Sequence, residues 1–127
     1  CLPFIRQIAN QYPNQIGYFT KNISANKFEL LKKISNLQLT VLGTQHNIFH
    51  ELPQTHLSLQ GNFSNDLLTI PEKSDFLFAL EEYIDLCQSY DVRQRTGWIA
   101  SLDHGVQKIT PETNIHLFID QIRTKLA

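Results

Sequence analysis

The spacing of hydrophobic positions alternates between two periods along the chain. Short aromatic, β-branched or alternating runs bounded by Gly, Asn or Pro predict strands at residues 15–20, 37–43, 55–62 and 97–102. Hydrophobic residues at helical spacing predict helices over residues 24–34, 74–90 and 111–126, and a short helix or turn at residues 45–52. The first fifteen residues are typical of the tail of a helix and its exit loop. Strands that alternate with helices predict an α/β fold with a parallel sheet.

The helices carry specific end and face signals. Ser24 is a plausible cap for the first of them, and Thr110 is the predicted cap of the last, with Pro111 at its first helical position. Five residues of the long middle helix fall on one apolar face: Phe76, Leu77, Leu80, Ile84 and Cys87. The last helix is expected to bury another five: Ile115, Phe118, Ile119, Ile122 and Leu126.

Composition narrows the class of protein. The 127 residues suffice for one domain, and a net charge of -1 without a basic stripe argues against nucleic-acid binding. No apolar run is long enough to span a bilayer, and no signal-peptide pattern opens the chain. Cys1 and Cys87 lie far apart and belong to no C-x-x-C pair, which favours a reduced, cytoplasmic setting. Because the chain starts with Cys and lacks Met, we expect it to be a piece of something longer.

Candidate chemistry lies on the turns that follow the strands, where parallel α/β folds collect their functional residues. His104, after the last strand, is either a binding or acid/base histidine at a cleft rim or a capping or surface residue. Asp103 beside it is a candidate turn former. Lys21 is either a point charge for a substrate carboxylate or a surface or ion-paired lysine. Gly61 is a candidate for close approach of the backbone to a ligand, although no nucleotide-binding glycine spacing surrounds it.

Other notable side chains favour structural roles. His46 and His50 are four residues apart, with His56 nearby, but a zincin glutamate is absent and a solvated pair is the favoured interpretation over a metal site. Two further residues, Cys87 and Trp98, are expected in the core. The segment before the last strand carries two arginines that are expected to be solvated: Arg93 and Arg95.

Four segments occur in the following order along the chain: "GYFTK", "TVLGTQHN", "LSLQGNFSNDLL" and "IASLDHGVQKITPET". Together they resemble the C-terminal part of uroporphyrinogen decarboxylase. That family shows an F-x-K strand end, a V-x-G-L-D-W-like strand, then L-Q-G-N-L-D-P, then N-L-G-H-G before a T-P-P-E helix start. The resemblance covers the chain from about residue 16 to its end. It implies that residues 1–127 are the C-terminal half of a (β/α)8 TIM barrel, as a single half-barrel unit.

The resemblance also implies an activity and a site. The family is a cofactor-free lyase that converts the acetate side chains of uroporphyrinogen III to methyl groups, giving coproporphyrinogen III in haem biosynthesis. The histidine of its G-H-G turn contacts the substrate and corresponds to His104, and Lys21 is a second candidate substrate-binding residue. No residue of this chain is assigned as catalytic or as a metal ligand. The family's aspartate that binds the pyrroles, its substrate-binding tyrosine and its N-terminal arginines belong to the first half of the barrel. This half alone is therefore expected to be inactive.

The chain departs from the family pattern at several points. Phe63, Ser64 and Asn65 replace L-D-P, Asp103 replaces the glycine before the histidine, and "LGTQHN" lacks the family's aspartate and tryptophan. The departures leave open a non-catalytic relative that serves as a binding or interaction scaffold. A zinc-dependent corrinoid or thiol methyltransferase is a further alternative, although no cysteine occupies the strand-end turns.

A half-barrel implies partners. Four βα units leave two unpaired sheet edges and an open inner face, which closed barrels avoid. We therefore expect the half to pair with the missing N-terminal half-barrel or with a second copy, most simply as a homodimer.

Overall fold

One four-stranded sheet organises the computed structural model, which describes residues 1–127. Its strands are β1 (Ile16–Tyr18), β2 (Leu37–Val41), β3 (Ser58–Phe63) and β4 (Trp98–Leu102). They pair in the order β1-β2-β3-β4, and all three pairings are parallel. The predicted α/β class and parallel sheet are confirmed, and sequential parallel strands with crossover helices are compatible with part of a TIM barrel.

Six helices flank or join the strands. They are α1 (Leu2–Gln11), α2 (Ala25–Lys32), α3 (Ile48–Glu51), α4 (Asn65–Leu68), α5 (Lys73–Gln88) and α6 (Glu112–Leu126). A 3-10 turn, Leu52–Gln54, extends α3. Ser24 caps α2 as predicted, because its hydroxyl accepts the Lys27 backbone N–H at 3.3 Å. No helix is both long and apolar enough to cross a membrane.

The hydrophobic core has two parts on the helix-covered side of the sheet. The larger cluster packs α1 and α2 against β2 and β3, with Leu31, Leu37 and Leu59 fully buried. The smaller one packs α5 and α6 against the end of β3 and centres on Phe63, whose ring lies 5.2 Å from that of Phe118. Removing such side chains from water is the main favourable contribution to folding. This packing fixes the strand ends, and with them the turns that carry the candidate site.

Strand order leaves β1 and β4 as sheet edges without a second strand partner. The sheet nevertheless curves, because Phe19 after β1 and His104 after β4 approach to 5.9 Å between ring centroids. Two strands separate these residues in the sheet. This approach of the first and last strand ends is compatible with part of a barrel.

Three sequence predictions about element ends and faces are wrong. Helix α6 begins at Glu112, because Pro111 has an extended ψ of 129° and serves as the cap residue itself. The Thr110 hydroxyl is therefore too far upstream to cap the helix, and it is buried without a partner. Ile119 is 38% exposed, whereas Leu117 packs in the smaller cluster.

The third correction concerns the end of β3. The sequence predicts a strand over residues 55–62, but β3 spans Ser58–Phe63, and Phe63 pairs with Leu102. The turn therefore falls at Ser64, whose hydroxyl accepts the Asp66 N–H at 3.3 Å and starts α4.

Candidate functional site

A polar cleft of about 720 Å³ opens at the carboxyl ends of the strands. Its walls come from the turns after all four strands, which the parallel arrangement brings to one edge of the sheet. The lining residues are Lys21 and Asn22 after β1, Thr44 after β2, Ser64, Asn65 and Asp66 after β3, and Asp103 to Gln107 after β4. The structure thus places both sequence-predicted binding residues, His104 and Lys21, in one cleft.

His104 is half-buried and lies against the ring of Phe19 at an interplanar angle of 58°. Its turn starts at the end of β4, where the Asp103 N–H donates to the Phe63 carbonyl at 2.8 Å. The imidazole makes no hydrogen bond to the protein. Both ring nitrogens are therefore available to a ligand or to water, which a capping histidine would not offer.

Asp103 does not use its carboxylate to shape its own turn. Its Oδ1 accepts the Asn65 backbone N–H at 2.8 Å, from the loop after β3. The Asn65 side chain in turn donates to the Gly105 carbonyl at 3.0 Å. The residues on either side of His104 are thus tied to Asn65, and one oxygen of the carboxylate is occupied.

Lys21, in the turn after β1, is exposed and takes part in none of the ion pairs of the protein. The turn that carries it continues into Asn22, which has a positive φ of 52°, a conformation that Asn tolerates better than most residues. Lys21 therefore brings to the cleft an ammonium group without an ion-pair partner, as a residue that binds carboxylates would.

The cleft also holds negative charge. Asp66 and Asp103 line it together with Lys21, and His104 adds positive charge only when protonated. Asp66 is hydrogen-bonded by the Gln107 side chain, a second tie between the loops after β3 and β4. Sequence reasoning missed the contributions of Asn65, Asp66 and Gln107. Their position just after β3 and β4 was the available signal.

The other histidines make hydrogen bonds within the fold. His46 Nε2 lies 2.8 Å from the Ile23 carbonyl, and His56 Nε2 lies 3.1 Å from the Ile34 carbonyl. His50 interacts with Gln54 on the exposed side of α3. His46 precedes α3, so the pair does not share one helical face. No group of three or more potential metal ligands occurs in the chain.

Gly61 lies against the backbone just after β2 and does not line the cleft. A Cβ at this position would lie 2.6 Å from the Leu42 carbonyl oxygen, and the residue has a φ of +134°. The Gly61 carbonyl accepts the Trp98 indole N–H at 2.7 Å. Trp98 also packs edge-on against Phe49, in agreement with the predicted packing role.

The buried side of α5 carries Tyr83 and Cys87. Burial raises the pKa of both groups, that of the Cys87 thiol to about 11. Such a thiol is protonated and unreactive at neutral pH, in keeping with the predicted core position. Arg95, by contrast, is half-buried rather than solvated, with its Nε buried and unpartnered, whereas Arg93 is exposed as expected.

Comparison with known proteins identifies the family. The family model described as "Uroporphyrinogen decarboxylase (URO-D)" matches residues 1–125. A search of curated proteins found no match. Since the family model covers nearly the whole chain, the chain belongs to the uroporphyrinogen decarboxylase family.

Proposed function

From this family membership we propose that the chain forms one wall of the substrate cleft in a uroporphyrinogen decarboxylase-like carboxy-lyase. The substrate is a porphyrinogen, uroporphyrinogen III, and the product is coproporphyrinogen III. Within the chain, His104 and Lys21 bind the substrate. The reaction needs no cofactor, and the enzyme works in the cytoplasm.

The observation that carries the proposal is the meeting of Lys21 and His104 in one polar cleft, on turns more than eighty residues apart in sequence. Lys21 has no ion-pair partner, and His104 has no protein hydrogen bond. An ammonium group and an imidazole left free on facing turns suit the acetate and propionate carboxylates around a porphyrinogen ring. The Phe19 ring beside His104 offers an apolar surface to the macrocycle.

Decarboxylation of an acetate side chain needs a proton at the pyrrole carbon and charge stabilisation while carbon dioxide leaves. Lys21 and His104 supply too little positive charge for a substrate with many carboxylates, especially beside Asp66 and Asp103. The remaining cations and the group that stabilises the pyrrole cation would come from the other half of a closed barrel. We therefore propose that this half has no turnover of its own.

Closure of the barrel requires a partner for the β1 and β4 edges. Both edges belong to parallel strands, so a second parallel half-barrel could pair with each of them. We propose that the N-terminal half-barrel of the same polypeptide fills this place, and that in its absence two copies of this half pair as a homodimer. Sedimentation of this chain with and without a separately produced N-terminal half would test the pairing, since a monomer that ignores the added half contradicts it.

The test of function is decarboxylation of uroporphyrinogen III by the complete gene product, kept anaerobic and followed by chromatography of the oxidised porphyrins. Replacing His104 by Ala should lower kcat/KM and lead to partly decarboxylated intermediates. His116→Ala is the matched control, because His116 is exposed on α6 outside the cleft. Equal activity of all three proteins would contradict the assignment of His104. An inactive native protein would contradict the decarboxylase proposal itself.

A second candidate is a non-catalytic scaffold, and the two carboxylates of the cleft favour it. Asp66 and Asp103 repel an anionic ligand, and Asp103 stands where the family pattern has glycine. In that case the complete protein would bind porphyrinogen or a protein without converting it, which the same assay separates. A thiol-activating zinc site has no support, because Cys87 is buried in the core and Cys1 lies outside the cleft.

A further inference from the structure

We infer that Asp103 and Asn65 form a matched clamp whose role is to hold His104 in the cleft. The inference rests on the proposed function of His104 and adds two positioning residues to it. The clamp has two hydrogen bonds, and Asn65 is the donor in both. The Asn65 backbone N–H donates to Asp103 Oδ1 at 2.8 Å, and the Asn65 side chain donates to the Gly105 carbonyl at 3.0 Å.

The clamp holds the residues on both sides of His104. Asp103 precedes His104 and Gly105 follows it, so both backbone neighbours of the histidine are fixed to a single point on the next loop. Gly105 does not itself restrain this turn, because glycine is conformationally permissive and its surroundings are open, with no atom within 4 Å of a Cβ placed there. The tie between Gln107 and Asp66 holds the same two loops together further along. The imidazole itself makes no protein hydrogen bond, so its orientation depends on the backbone of this turn and on Phe19.

The two clamp residues are also two of the positions at which the chain departs from the family pattern. The pattern has glycine where this chain has Asp103 and proline where it has Asn65. Glycine has no side chain to accept a hydrogen bond, and proline has no backbone N–H to donate one. With proline at position 65, the half-buried carboxylate of Asp103 would lose its donor. With glycine at position 103, the backbone N–H of Asn65 would lose its acceptor. The departures therefore compensate each other.

The test combines kinetics with the nuclear magnetic resonance of His104 in the complete gene product. Selective ¹³C labelling of histidine Cε1 gives one resonance per histidine, and the His104→Ala variant assigns the one of interest. The ring current of Phe19 shifts this resonance, so its position reports the orientation of the imidazole independently of activity. His116→Ala serves as the control for the assignment.

We expect Asp103→Gly to move the His104 resonance and to lower kcat/KM on uroporphyrinogen III by about tenfold, as the loss of a charge-assisted hydrogen bond would. Asp103→Asn keeps an oxygen acceptor and should restore both readouts to within about twofold of the native protein. Asn65→Pro removes both clamp bonds and should affect both readouts at least as strongly as Asp103→Gly. The double variant Asn65→Pro/Asp103→Gly should be no worse than Asn65→Pro alone, because that change already removes the bond to Asp103.

Two results would overturn the clamp. One is an unchanged His104 resonance and unchanged kinetics in Asp103→Gly. The other is a double variant in which the fold-loss of kcat/KM equals the product of the fold-losses of the two single variants, because residues that share a bond do not act independently. The clamp and the proposed function can also fail separately. If the resonance shifts in the clamp variants but His104→Ala keeps full activity, the clamp is supported and the proposed function of His104 is contradicted.

Discussion

Replacing Gly61 by Ala is expected to be among the most destabilising small substitutions in the chain. Gly61 is buried within β3, and its φ of +134° is strained for any residue with a Cβ. The added methyl group would lie 2.6 Å from the Leu42 carbonyl oxygen, a backbone atom that cannot swing away. Backbone strain costs about 1–3 kcal/mol and overpacking a similar amount. We expect the free energy of unfolding to fall by about 3–5 kcal/mol.

The structure supplies both a reporter and a control for this prediction. Trp98 is the single tryptophan of the chain, and its indole donates to the Gly61 carbonyl, so urea unfolding followed by its fluorescence reports on this site. A loss of this size corresponds to a midpoint of thermal unfolding lower by about 10–15 °C. Gly105→Ala is the matched control, because its Cβ would meet nothing within 4 Å, and it should change stability by less than about 0.5 kcal/mol. A Gly61→Ala protein as stable as the control variant would refute the reasoning.

Two further predictions concern buried polar groups. Asn114→Ala should lower the free energy of unfolding by about 2–3 kcal/mol, because the Asn114 amide donates to the Leu68 and Ile70 carbonyls and is only 2% exposed. Urea unfolding measures the loss, with Thr113→Ala, at an exposed neighbouring position, as the control. Equal stabilities of the two variants would contradict the prediction. Cys87 should resist iodoacetamide at pH 8 while exposed Cys1 reacts, because burial raises the pKa of the Cys87 thiol to about 11 and only the thiolate attacks. Peptide-resolved mass spectrometry should show Cys87 labelling rising as the pH approaches 11 or after unfolding, and equal labelling of both thiols at pH 8 would contradict the burial argument.

Much of the fold follows from local patterns. The alternation of strand and helix signals predicts four strands and a parallel sheet, and the sheet has that form. Strand-end turns then meet at one edge by geometry alone, which is why His104 and Lys21 share a cleft. The face of α5 follows equally well, since Phe76, Leu80 and Ile84 are fully buried.

What the sequence does not predict depends on contacts between distant segments. The sequence predicts that Asp103 shapes its own turn, yet its carboxylate accepts an N–H from a residue 38 positions earlier. Gly61 reads as a ligand-facing glycine, yet it makes room for the Leu42 carbonyl. Ile119 has the spacing of a buried helix position, yet no neighbouring element covers it, so that it stays 38% exposed. In each case the deciding neighbour comes from another part of the chain.

The sequential order of the strands has a consequence for the way the protein is made. Each strand pairs with the one synthesised just before it, so the sheet can grow while the chain leaves the ribosome. The crossover between β3 and β4 is the longest, because it contains both α4 and α5, and it therefore carries the largest loop-closure cost. We expect β4 to dock last, and with it the turn of His104. Hydrogen exchange should show the amides of β4 protected after those of β2 and β3, and the complete cleft should form only once β4 has docked.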